Sequence, residues 1–269
     1  RDRLFDDPTI DFVVSAAIPR DRAGIAVRAM RAGKDVMVDK PGATTLAEDE
    51  AIEVAARETG RIFSICFSER FVVRACEAAS RLVAEGAIGR VVQTTGLGPH
   101  RLNRAIRPAW FFDKAAYGGI LVDIASHQID QFLHFTGSTE AEIVASAVAN
   151  HALPDVPSFE DYGEMLLRSD RASGFVRVDW YTPDGLPTWG DGRLVLLGTE
   201  GYIELRKYVD IAGRPDVPVA RGAAGPLLGG PVEFSYHVHG DDGQGGAGGD
   251  APAAAAALAA AERTTAAQQ

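Results

Sequence analysis

Only two cysteines, Cys66 and Cys76, occur in 269 residues. That is too few for a disulfide framework or a cysteine-built zinc site, and both thiols read as reduced, buried small hydrophobes. Long apolar runs are also missing. Nothing approaches the ~20 consecutive apolar residues of a membrane-spanning helix, so no membrane partner is expected and the setting reads as cytoplasmic. Basic charge is scarce: 27 Lys and Arg against 37 Asp and Glu leave a net charge of −10, which argues against the basic face of a nucleic-acid binder. The remaining composition, 46% hydrophobic and 24% charged, is that of a soluble globular chain long enough to bury a sizeable core.

From residue 11 onward, short apolar runs alternate with helical patterns. Residues 12–17 have strand length and end at Pro19; residues 21–32 carry Ile25, Ala26, Ala29 and Met30 at helical spacing ahead of Gly33. Residues 35–39 form a second buried-type strand. Residues 45–59 predict a helix opened by a Thr45/Glu48 capping box and closed by Gly60, and residues 61–67 give a third strand. Strands separated by helices of this length predict βαβ units in a parallel sheet.

Past residue 70 the pattern changes. Helices are predicted over 72–85 and 121–135, closed by Gly86 and Gly137, with a strand at 91–96 and a Pro- and Arg-bearing segment at 98–117 between them. Strands follow at 142–149, 162–168, 174–181, 193–197, 202–205 and 232–238 without intervening helices, which implies a largely antiparallel sheet and an α+β domain. Residues 241–269 are a Gly- and Ala-rich low-complexity tail, read as linker followed by an Ala-rich helix candidate and given no chemistry.

Chemistry-bearing residues concentrate in Gly118-Gly119-Ile120-Leu121-Val122-Asp123-Ile124-Ala125-Ser126-His127-Gln128-Ile129-Asp130. On a continuous helix Asp123, His127 and Asp130 would share one face, and the glycine pair could admit a ligand close to the backbone. A histidine beside a carboxylate, with an ordinary pKa near 6.5, can move a proton at neutral pH; the alternative is the polar face of an ordinary helix. A second polar cluster lies at the carboxyl ends of the predicted parallel strands, where open sheets bind ligands: Ser15-Ala16-Ala17-Ile18-Pro19, Asp39-Lys40-Pro41 and Phe67-Ser68-Glu69-Arg70. A lysine at a buried strand end needs a polar partner, and Asp39 or Glu69 would serve.

Asp39-Lys40-Pro41, followed by Gly-Gly-x-x-x-Asp-x-x-x-His-x-x-Asp over residues 118–130, resembles the Gfo/Idh/MocA family of nicotinamide-dependent oxidoreductases. Ile88-Gly89-Arg90 and Gly198-Thr199-Glu200-Gly201-Tyr202-Ile203-Glu204-Leu205 add to the resemblance, which covers approximately residues 7–205. It implies an α/β fold: a partial Rossmann-like parallel sheet over 1–70, then an α+β domain with a large, mostly antiparallel open sheet over 71–240 that often forms an oligomer face. It also implies hydride transfer between NAD or NADP and an alcohol or carbonyl on a sugar or polyol. By the same resemblance, Lys40, Asp123 and His127 are the catalytic set, with His127 as general acid/base and Asp123 binding substrate. Ser15, Ala16, Ala17, Ile18, Pro19, Asp39 and Lys40 would line the cofactor. The chemistry is consistent with this: an imidazole takes the hydroxyl proton while an ammonium stabilises charge growing on the oxygen.

Two departures stand out. Asp39 occupies a position where the family usually has Glu, which shortens a cofactor-side carboxylate but keeps its charge. The family's G-x-G-x-x-G phosphate loop is absent, so the chain reads as beginning after the first βαβ unit and is expected to bind dinucleotide poorly by itself. The rival reading is therefore a non-catalytic sensor or binding relative, or an inactive fragment of the same fold. Trp110 reads either as a wall of the substrate pocket or as the anchor of a long loop. His100 and Arg101 read as a solvated loop, Asp130 as a pairing residue, and Trp180 and Trp189 as packing residues. His237 and His239 share a strand face but show no third ligand, so no metal is expected.

Overall fold

Thr45 and Glu48 show how closely local sequence dictates the first half of the molecule. In the computed structural model, which describes residues 2–183, 190–207 and 233–238, Thr45 Oγ1 accepts the Glu48 amide at 3.2 Å and Glu48 Oε2 accepts the Thr45 amide at 3.1 Å. This reciprocal cap starts a helix that Gly60 ends in the left-handed region, at φ +66°. The first body comprises α1 (Asp2–Asp6), β1 (Phe12–Ser15), α2 (Pro19–Arg31), β2 (Asp35–Asp39), α3 (Leu46–Thr59) and β3 (Phe63–Cys66). Its three strands are parallel, in the order β1-β2-β3, with Val13 opposite Val36 and Val36 opposite Phe63. Small residues on α2 and α3 (Ala23, Ala26, Ala29, Ala55) let both helices lie close over Val13, Val36 and Val38. β1 is an outer strand of this sheet, and Phe12 and Val14 on it are exposed.

The chain then passes through α4 (Ser68–Phe71), α5 (Arg74–Ala84), β4 (Val91–Pro99), α6 (Lys114–Tyr117), α7 (Ile120–Asp123) and α8 (Ala125–Thr136). The strands β5 (Glu142–Ala149), β6 (Tyr162–Arg168), β7 (Ser173–Asp179), β8 (Arg193–Gly198), β9 (Gly201–Arg206) and β10 (Glu233–Val238) complete a seven-stranded sheet ordered β10-β9-β8-β4-β7-β6-β5. Every pairing is antiparallel except β4 with β7, so the sheet is mixed. The long helical crossover after β4 makes that one parallel pairing possible. One core, built on Phe111, Tyr117, Phe132, Phe159 and Trp180, lies under α6–α8; another, built on Leu82, Ile88, Leu196 and Ile203, lies under α5.

The helix expected over 72–85 is present as α5 (Arg74–Ala84), with extended Val73 (φ −80°, ψ 108°) at its N-cap separating it from the short α4. One helix differs from the sequence expectation. The helix expected over 121–135 is broken at Ile124. Among the described residues no helix is long and apolar enough to cross a membrane. Trp189, His239 and the expected 241–269 tail lie outside the described residues.

α8 rests directly on the backbone of β4. A Cβ added at Gly96 would come 2.8 Å from Gln128 Cγ, and one at Gly98 would come 2.9 Å from Gln128 Nε2. Gly96→Ala is therefore expected to destabilise the fold by about 1–3 kcal/mol through overpacking. Urea unfolding measures this directly; an unchanged midpoint would show that α8 does not need the close approach.

Candidate active site

Arg22, on the first turns of α2, organises the strand ends. It is 5% exposed. Its Nε donates to Ala17 O at 2.7 Å, and its Nη1 donates to Asp39 O at 3.0 Å, to Pro41 O at 3.1 Å and to Lys40 O. Nη2 meets Asp39 Oδ2 at 3.3 Å. Sequence reading missed this residue; the available signal was an arginine within the small-residue face of α2, where a buried guanidinium must satisfy several acceptors. Ser15 is buried and accepts the Ala17 amide at 3.4 Å, Ala16 is exposed, and Ile18-Pro19 opens α2. With the β2 end held by Arg22, the Lys40 side chain extends to the second body. Lys40 Nζ lies 2.9 Å from Asp123 Oδ1 and 2.9 Å from Asp123 O. Its partner is thus Asp123, not Asp39 or Glu69.

Asp123 closes α7, and Ile124 (φ −101°, ψ −47°) interrupts the helix before His127. The expectation of three polar residues on one continuous helix face is corrected: Asp123 turns to Lys40, while Asp130 forms a two-bond fork with Arg70 at 2.7 and 2.8 Å. The glycine pair also has another use. Gly119, at φ +95°, leaves room for the Glu160 carboxylate, which a Cβ would approach to 2.6 Å and which accepts the Ile120 amide at 2.9 Å. The close approach at Gly119 is to protein.

His127 is 3% exposed, with Phe67 edge-on at a centroid distance of 6.0 Å. Burial, together with the positive neighbours Lys40 and Lys207, pulls its pKa down to about 4 against an opposing pull from Glu69, so the expected value near 6.5 is corrected. The imidazole is neutral at pH 7 and able to accept a proton. His100, expected in a solvated loop, is buried; its Nδ1 lies 3.0 Å from Gly98 O, and burial brings its pKa to about 4. Trp110 is half-buried and packs against the aromatic core beside Phe111. Among the described residues no group of three or more His, Cys, Asp or Glu side chains could hold a metal ion.

A cleft of about 670 Å³ runs past the β1 end, lined among others by Val14, Ser15, Ala16, Ala17, Arg20 and Gly24. Small side chains at a strand end, followed by a helix start, suit the close approach of a nucleotide. The site as a whole brings an ammonium, a carboxylate and a neutral imidazole together at the junction of the two bodies.

Residues 1–67 match a family described as "Oxidoreductase family, NAD-binding Rossmann fold", and residues 76–204 match the GFO/IDH/MocA C-terminal domain. The chain is similar to scyllo-inositol 2-dehydrogenase (NAD(+)) of Bacillus subtilis, 28% identical over 207 residues, covering 74% of this chain and 56% of that protein. It is also similar to levoglucosan dehydrogenase of Pseudarthrobacter phenanthrenivorans, 32% identical over 157 residues, covering 57% and 39%. The chain thus spans about half the length of these relatives, or less. A crystal structure from Erwinia carotovora atroseptica, provisionally called an oxidoreductase, superposes with a TM-score of 0.77 at 52% identity, covering 79% of this chain and 64% of that one. Levoglucosan dehydrogenase in complex with NADH superposes with a TM-score of 0.67 at 25% identity, covering 86% and 66%.

The two depressed histidines carry a stability consequence. Above their unfolded pKa near 6.5 both states are neutral and nothing is lost. Between 6.5 and about 4 the unfolded chain takes up protons that buried His100 and His127 refuse, so stability falls as pH falls through that window. His127→Asn is expected to shrink the difference in unfolding free energy between pH 7 and pH 5. An unchanged difference would mean that His127 is not held neutral by burial.

Proposed function

We propose that this chain, which belongs to the Gfo/Idh/MocA oxidoreductase family, forms part of an NAD- or NADP-dependent enzyme that interconverts an alcohol and a carbonyl on a sugar or polyol. The observation that carries the reading is the 2.9 Å contact of Lys40 Nζ with Asp123 Oδ1, which ties the end of β2 to the segment bearing buried, neutral His127. The polyol class draws support from relatives named for scyllo-inositol and levoglucosan.

In the oxidative direction His127 takes the hydroxyl proton of the substrate, since its imidazole is uncharged at neutral pH. The Lys40 ammonium donates to the same oxygen and stabilises the charge that grows there as the carbonyl forms. Asp123 holds Lys40 in place and offers a carboxylate oxygen to a neighbouring substrate hydroxyl. Ser15 to Pro19, with Asp39 and Lys40, form the cofactor side. The nicotinamide, when bound, supplies the hydride acceptor. Trp110 walls the substrate side from its half-buried loop.

The outward face of the seven-stranded sheet is assigned to self-association. Leu166 and Leu197 are exposed on it, alternating with buried Met165, Leu167, Leu194 and Leu196, and apolar side chains on an open sheet face favour a partner surface. Both cysteines are free thiols, in keeping with a cytoplasmic setting.

The test uses the full-length enzyme and NADH absorbance against a panel of inositols, anhydrosugars and aldopentoses. Turnover with at least one member is expected, and Lys40→Met and His127→Ala should each lower kcat by about 100-fold or more. For oxidation, the acid limb of kcat/KM should lie near pH 4, where His127 becomes protonated and stops accepting. NADH binding without turnover on any polyol would support a non-catalytic relative, and full activity in Lys40→Met would remove that residue from the mechanism. Leu166→Glu is expected to shift the sedimentation of the full-length protein toward the monomer; an unchanged coefficient would clear the sheet face of this role.

A further inference from the structure

The turn that carries Asp123 has no cap of its own. Gly118 ends α6 and Gly119 precedes α7, both in the left-handed region at φ +89° and +95°. A helix start is ordinarily capped by a Ser, Thr, Asp or Asn side chain at the position Gly119 occupies, and glycine has none to offer. Here the acceptor comes from 40 residues further along the chain: Glu160 Oε2 takes the Ile120 amide at 2.9 Å. Oε1 of the same carboxylate accepts from Lys114 Nζ, at the start of α6. One buried side chain thus grips the starts of both short helices.

Glu160 stands on a fixed footing in the connection between β5 and β6. Phe159, before it, packs in the aromatic core against Phe111, Tyr117 and Trp180. Asp161, after it, accepts the amides of His151 and Ala152 at 2.9 and 2.8 Å, and its backbone pairs with Ala149 and Trp180. The Glu160 amide donates to the Tyr117 hydroxyl at 3.1 Å. At the other end of α7 the Asp123 amide closes the turn on Gly119 O at 2.9 Å, and the Asp123 carboxylate meets Lys40. A single turn separates the grip of Glu160 from that ion pair.

We propose that Glu160 is a positioning residue of the active site: it caps α7 in place of the side chain Gly119 lacks and so holds Asp123 against Lys40. This inference rests on the reading of Lys40 and Asp123 as a working pair. Four residues do not hold a helical turn by themselves, so the direction of Asp123 is set by whatever grips the start of α7. Without Glu160 the Ile120 amide is left buried with no acceptor, which is costly enough to shift the turn. What the turn needs is an acceptor oxygen, so an amide in place of the carboxylate should serve.

Lys40 reports on its partner without any turnover. In the full-length protein, acetylation of Lys40 by acetic anhydride is followed by peptide mass spectrometry in the absence of substrate. Glu160→Ala should label about tenfold faster than the wild type, as Asp123→Asn does, because an ammonium that loses its carboxylate gives up its proton more readily. Glu160→Gln should label at the wild-type rate. In turnover, Glu160→Ala should lose about 10- to 100-fold in kcat/KM, and Glu160→Ala/Asp123→Asn should be no worse than Asp123→Asn alone. A purely structural cap would lower the unfolding midpoint and leave both readouts of the folded protein unmoved. That result overturns the inference, as would Glu160→Gln labelling as fast as Glu160→Ala, or losses that multiply in the double variant. If Glu160→Ala does not fold, Glu160→Asp decides: it keeps the charge but falls one methylene short of Ile120, and wild-type labelling there refutes the role. The two readings fail separately. A wild type inactive on every polyol with the labelling pattern intact sinks only the dehydrogenase, whereas a failed pattern in an active enzyme sinks only the role of Glu160.

Discussion

The ion pair between Lys40 and Asp123 is the constraint around which this molecule is arranged. Its side chains are only 19% and 12% exposed, so each charge depends on the other and on the hydrogen bonds around it. A pair this dry persists only where its geometry is fixed from both ends. Arg22 fixes one end by gathering the carbonyls of Ala17, Asp39, Lys40 and Pro41. The break at Ile124 fixes the other, freeing the Asp123 carbonyl from the helix so that it too accepts from Lys40.

His127 belongs to the same arrangement but obeys a different rule. Burial first, and then the positive Lys40 and Lys207, lower its proton affinity against an opposing pull from Glu69. The junction therefore has two polar groups. One is Lys40 with Asp123; the other, Glu69 with Lys207, Gln128 and Gln131, joins α4, α8 and the end of β9. Gly96 and Gly98 make the second group possible by letting Gln128 lie against the strand.

Much of this was legible in the sequence. The Thr45/Glu48 box, the terminal glycines and the spacing of Ala26, Ala29 and Met30 gave the parallel half almost element by element, because those signals are local. The convergence of Lys40 with Asp123 was also foreseeable, through the strand-end position of one and the motif around the other. Three things were not. A helical pattern cannot show that Ile124 breaks the helix, since the break is stabilised by Lys40 arriving from 83 residues away. The spacing of His127 and Asp123 suggested a couple, whereas in the fold Asp123 pairs with Lys40 and His127 packs edge-on against Phe67. Arg22 and Lys207 drew no reading, because most of their partners are carbonyls and side chains far along the chain. The parallel pairing of β4 with β7 was hidden for a related reason: strand order depends on where a crossover lands.

The central claim is that Lys40 and Asp123 act as one unit across the junction of the two bodies. A double-mutant cycle on kcat/KM, using Lys40→Met, Asp123→Asn and the combined variant in the full-length enzyme, tests it most directly. The account predicts strong non-additivity, with the double variant little worse than the poorer single one. Losses that simply multiply would mean that the two residues act independently, and the account would fail.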